Sequence, residues 1–121
     1  MKPKLPNLLV EDLVKLFVTL SIKQDDALLG FDTKKSNRLY DRIAAIVTEL
    51  KSRDGDQRRA LIPLYAHANP QVRLKAATVT LALAPDAARA VLESMSDIHG
   101  PQRLYAGMTL DALDRGIFKP V

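Results

Sequence analysis

The stretch His67-Ala68-Asn69-Pro70-Gln71-Val72-Arg73-Leu74-Lys75-Ala76-Ala77 decides the fold. Asn69 directly before Pro70 is the order in which a helix opens: a side-chain cap, then a residue whose missing N–H costs nothing in the first turn. From Gln71 to about Leu83 the chain is apolar or small nearly all round, through Val72, Leu74, Ala76, Ala77, Val79, Leu81, Ala82 and Leu83. A helix of that kind belongs in the middle of a helical packing. The phrase returns in part as His99-Gly100-Pro101-Gln102-Arg103-Leu104, and a shorter form, Arg38-Leu39-Tyr40, precedes it. The Arg-Leu pairs lie 35 and 30 residues apart. A period of about 30 to 40 residues, with one helix hairpin per unit, is the signature of a stacked helical repeat, and three units are about the minimum for a continuous core.

Working outward, six helices in three antiparallel pairs are expected. The first follows Pro6-Asn7, with Asn7 as its cap, Glu11 and Asp12 in its first turn, and Leu9, Leu13, Leu16, Phe17 and Leu20 as its apolar stripe. Gly30 is its natural terminator. The second runs from Thr33 or Ser36 to Ser52 and buries Leu39, Ile43, Ile46, Val47 and Leu50. The third is capped by Asp56 and continues to Ala66 with a kink at Pro63. The fourth is the deciding stretch itself. The fifth opens at Pro85-Asp86 and ends near Met95-Ser96, and the sixth runs from Gly100-Pro101 to Gly116. Every connection is short, so consecutive helices are expected as antiparallel neighbours. The expectation is one helical-repeat domain over residues 1–121, with its core at about 8–115.

Pro63, Asn69-Pro70, Val72-Arg73 and Ala76-Ala77 together resemble the HEAT repeat pattern, although Asn69 stands where that pattern more often has Asp. More widely, Asn37-Arg38-Leu39-Tyr40-Asp41 through Glu49-Leu50-Lys51, then Arg58-Arg59 and Val72 to Ala77, resemble a family of small bacterial armadillo/HEAT-like domains of unknown function. The resemblance covers roughly residues 8 to 115. It implies a right-handed α–α superhelix without catalytic residues.

Composition narrows the function classes. The chain of 121 residues is 47% hydrophobic, long enough for a real core, and only 5% aromatic, which suits close-packed helices better than a β-sandwich. No cysteine is present, so disulfides, thiolate chemistry and cysteine-based zinc sites are excluded. No apolar run has the length of a signal-peptide core or a membrane span, and a cytoplasmic protein is expected. The net charge of +4 is mild and its cations are interspersed with acids.

No phosphate loop, nucleophile elbow or paired-histidine zinc motif occurs. Asp25-Asp26 and the Asp54/Asp56 pair sit at helix ends or turns, where capping accounts for them. His67 and His99 are too few for a metal site. Neither catalytic residues nor a cofactor is therefore expected. Glu49, with Lys51 and Arg53 nearby, reads as solvated surface.

What remains is the repeated cation. Arg38, Arg73 and Arg103 are expected at one helical phase, where each guanidinium either bonds the preceding turn or, with Lys35, Arg42 and Lys75, lines a basic concave face. Tyr40 and Tyr105 follow two of these arginines and complete the candidate partner-binding set, since tyrosine and arginine are enriched at binding hot spots. The function expected is a non-catalytic protein–protein interaction module, one version being an immunity-like or regulatory protein that blocks its partner. The alternative is nucleic-acid binding along the basic face. A monomer or weak homodimer is expected, with the first helix and the Ile117-Phe118 tail as places for self-association.

Overall fold

The fold is that of a computed structural model describing residues 4–121, and among these the secondary structure is entirely helical. Five α-helices are present: α1 (Val10–Leu29), α2 (Thr33–Ser52), α3 (Pro70–Val79), α4 (Pro85–Ser94) and α5 (Pro101–Asp114). A 3-10 segment, Gln57–Ala66, separates α2 from α3, and short 3-10 turns lie at Leu5–Asn7 and Met95–Asp97. The chain divides into two compact units between Leu61 and Ile62, inside that 3-10 segment.

In the first unit α1 and α2 pack along each other. Their buried positions, Leu13, Phe17, Leu20 and Ala27 on α1 and Leu39, Ile43, Ile46 and Leu50 on α2, follow the expected three- and four-residue steps. Asn7 does not cap α1. It ends the short 3-10 turn that Pro6 favours, and Leu9 occupies the cap position with no side-chain bond. Asp32 does cap α2, accepting from the Lys35 N–H at 3.1 Å. Arg53 secures the entry to the unit: its Nε meets Glu49 at 2.9 Å and its Nη2 donates to the Leu5 carbonyl at 3.1 Å. Glu49 is therefore half-buried in an ion pair, not a freely solvated acid.

The end of α1 departs from expectation in an instructive way. Gly30 has an ordinary φ of −89°, and the left-handed residue is Phe31, with φ +56°. Phe31 N–H reaches the Leu28 carbonyl and Asp32 N–H the Ala27 carbonyl, the two bonds of a Schellman closure. At the end of α5 the same closure is built with glycine. Gly116 takes φ +70°, and Ile117 N–H bonds the Ala112 carbonyl at 2.9 Å.

The segment expected as a kinked third helix is 3-10 from Gln57 to Ala66. Pro63 lacks an N–H and its ring crowds the carbonyl four residues back, so α geometry is disfavoured and i→i+3 bonding prevails. Asp56 at its start behaves as expected of a cap, accepting from the Arg58 N–H at 3.3 Å. It also holds the Arg58 guanidinium at 2.6 Å, and Arg58 is itself buried.

In the second unit α3 packs against α4 and α5, and α4 against α5, around Leu74, Ala77, Leu81, Ala88, Leu92, Met95 and Ala106. The Asn69 carboxamide accepts from the N–H groups of Gln71 and Val72, the capping expected of it. Helix α3 ends at Val79, earlier than the apolar run to Leu83 predicts. The buried Thr80 hydroxyl donates back to the Ala76 carbonyl at 2.6 Å and accepts the Tyr65 phenol. Pro85 then bars Ala84 from helical geometry. Phe118 of the C-terminal tail packs onto this core and Ile117 remains exposed.

Candidate partner-binding site

Helix α2 buries one stripe and exposes the rest of its circumference. On the exposed side Lys34, Lys35, Arg38 and Arg42 fall within one helical sector. Lys34 and Arg42 lie eight residues apart, about 12 Å of axis. None of the four has an ion-pair partner among the described residues. Three of them lie in the first two turns of a helix whose first turn carries no acid and whose cap is Asp32. Within α2 itself the acid beside these cations is Asp41, next to Arg42.

Tyr40 is 54% exposed, but a residue two positions from Arg38 and Arg42 projects from another side of the helix. The same spacing separates Tyr105 from Arg103 on α5. These tyrosines flank the arginines in sequence without sharing their faces.

The cations of α3 are differently employed. The Arg73 guanidinium donates to the His67 and Ala68 carbonyls at 2.8 and 3.0 Å, closing the turn before its own helix. The His67 ring completes that turn, its Nδ1 accepting from the Asn69 N–H at 3.0 Å. Lys75 is partly buried, and burial draws its ammonium down to about 8. Arg73 is thus bonded within the second unit and Lys75 is half-buried there, whereas Lys35, Arg38 and Arg42 are brought together on α2 with Lys34, a residue outside the repeated Arg-Leu phrase.

Arg103 is exposed on α5, but not at the phase of Arg73. Both helices open with Pro-Gln, at Pro70-Gln71 and Pro101-Gln102, so the structural repeat is 31 residues and the Arg-Leu phrases are one residue out of register. Leu74 is consequently buried and Leu104 exposed. Gln71 and Gln102, a pair the sequence shows in each opening phrase, are the buried equivalents.

Among the described residues no three His, Asp or Glu side chains gather where they would hold a metal ion, and no helix is long and apolar enough to cross a membrane.

The family model described as a domain of unknown function, DUF2019, matches residues 11–114. Among solved structures, the protein RPA1889 from Rhodopseudomonas palustris CGA009 is 50% identical with a TM-score of 0.94, the alignment covering 99% of this chain and 100% of that one. No curated protein matches the chain.

Proposed function

The chain belongs to the DUF2019 family, a domain of unknown function, and on that premise we propose that it is a non-catalytic, cytoplasmic protein–protein interaction module that receives an acidic protein surface on α2. The observation that carries the proposal is the set Lys34, Lys35, Arg38 and Arg42, exposed in one sector and lacking ion-pair partners among the described residues. Four like charges held on a rigid helix raise its positive potential, which steers an oppositely charged partner and sets its register. The patch is short, about 12 Å along the axis, and Asp41 borders it. Those dimensions suit a few carboxylates on a protein better than a tracked phosphate backbone, which engages about 6 to 10 cations in a typical duplex complex.

The same reading takes the helices as a right-handed α–α superhelix of the HEAT/armadillo kind. It is supported by the α1–α2 hairpin, the Asn69-Pro70 opening of α3, and the recurrence of Pro-Gln at the start of α3 and α5.

The test is affinity capture from a lysate of the source organism, with and without nuclease and at low and high salt, using the native chain and the R38E/R42E variant. A discrete protein that survives nuclease and is lost with R38E/R42E supports the proposal. Bound material released by nuclease moves the assignment to nucleic acid, and capture indifferent to the double reversal removes α2 as the site.

A further inference from the structure

Helix α5, in the second unit, presents a further surface. Its outward face carries Leu104, 64% exposed, and Met108, 59% exposed, on one i, i+4 row. The adjacent row is Arg103, Gly107 and Asp111. With Gly100 these residues line a shallow depression of about 550 Å³.

Gly107 is the unexplained member. It stands in the interior of a 14-residue helix, where glycine costs about 1 kcal/mol relative to alanine. A Cβ added there would meet nothing within 4 Å. Nothing among the described residues therefore calls for glycine at 107. What a missing side chain provides on an outward helix face is room for another backbone or side chain to approach closely.

The charges indicate what approaches. Arg103 lies four residues before Gly107 and Asp111 four residues after it, each about 6 Å along the axis from the glycine. Arg103 has no ion-pair partner among the described residues, and Asp111 is held only by an exposed contact to Arg115 at 3.4 Å. Opposite charges at equal distances on either side of a notch are self-complementary under a two-fold axis through the notch. An antiparallel second α5 crossing at Gly107 sets each Arg103 against the Asp111 of the other copy. The same crossing lets each Leu104–Met108 ridge settle into the Arg103–Gly107–Asp111 row opposite, the ridge-into-groove arrangement of i±4 rows.

We infer that this face is a homodimer contact, in which two copies of the chain cross through α5 at Gly107 in an isologous, antiparallel arrangement. A single helix crossing is a small interface, so the dimer is a weak one that forms with rising concentration.

The experiment is sedimentation equilibrium of the full chain from micromolar to about millimolar concentration, the range in which small interfaces associate, with circular dichroism confirming that each variant is folded. The native chain is expected to shift from monomer to dimer. G107L, which fills the notch, is expected to remain monomeric. R103D and D111R, each placing like charges opposite one another twice, are expected to weaken association by about tenfold or more. The R103D/D111R double swap restores it, and an equimolar mixture of R103D with D111R forms a heterodimer that neither forms alone. A native chain monomeric throughout overturns the inference. So does a dimer indifferent to G107L, or a double swap that fails to recover while folded.

Discussion

Gln102 donates from Nε2 to Oε1 of Gln71 across 2.9 Å, and both side chains are buried. Each follows the proline that opens its helix, so the two amides are equivalent positions of the repeat meeting face to face. Buried amides are expensive unless bonded, and a bonded pair fixes which turn of α5 lies against which turn of α3. Gly100 adds to the constraint, since a Cβ there would come within 2.9 Å of the Gln102 Oε1.

Replacing one glutamine alone removes this bond from a buried amide. Q71L or Q102L is expected to lower unfolding free energy by about 1 to 3 kcal/mol, and Q71L/Q102L to recover much of that loss because both polar groups leave together. Urea titration of the four proteins measures the coupling. Single variants as stable as the native chain would show that the bond contributes little.

Phe31 supplies a test of the opposite sign. A bulky residue in the left-handed region costs about 1 to 2 kcal/mol, and at 92% exposure the Phe31 side chain gains almost nothing from burial within the chain. F31G relieves that cost, less the entropy glycine loses on folding. A net stabilisation of about 0.5 to 1 kcal/mol is expected, read as a raised thermal midpoint. A lowered midpoint would mean that the ring supports the α1–α2 turn.

These cases show what the sequence disclosed and why the rest was hidden. Asn69-Pro70, Pro101 and Gly116 were legible because capping and termination are local and depend on residue type. The buried stripes of α1 and α2 were legible as periodicity. The register between repeats is hidden because Arg-Leu is the conspicuous phrase, whereas packing aligns on Pro-Gln, one residue away. Phe31 was invisible beside Gly30, since the closure needs its left-handed residue one place further on. The α2 patch was legible as Lys35, Arg38 and Arg42. The α5 face was not, because residue type alone does not show that Leu104 and Met108 are exposed.

Asp56 joins local structure to pH. Its carboxylate is held below the ordinary carboxylate value first by its side-chain bond to Arg58, with partial burial opposing and the Arg58 backbone N–H and charge assisting. A carboxyl depressed in the folded state contributes stability that is present above its unfolded value, near 3.9, and lost as pH falls through the lower folded value. D56N is expected to destabilise the protein by about 1 to 3 kcal/mol at pH 7, because the buried Arg58 loses its counter-charge. The deficit should shrink below pH 4. A deficit constant from pH 7 to pH 2 would assign the loss to the turn geometry of Asp56, which sits at φ +51°.

Lys75 gives the opposite pH signature at the alkaline end. Burial lowers its folded value from 10.5 to about 8, so between these limits the unfolded chain carries a proton that the folded chain has released. Unfolding then takes up a proton, and stability must rise as pH increases from about 8 to about 10.5. The full gain is no more than about 3.4 kcal/mol, and partial exposure of the side chain makes about 1 to 2 kcal/mol the expected size. Below pH 8 both states are charged and the cost of holding the ammonium in α3 is borne in full. K75M keeps the aliphatic length without the charge, so it is expected to be more stable than the native chain at pH 7 and to lose this portion of the alkaline slope. Chemical denaturation of both proteins at pH 7, 8, 9 and 10 isolates the effect, because the other groups titrating there are common to the two chains. If K75M is less stable at pH 7 and keeps the same slope, Lys75 is not the group that titrates there.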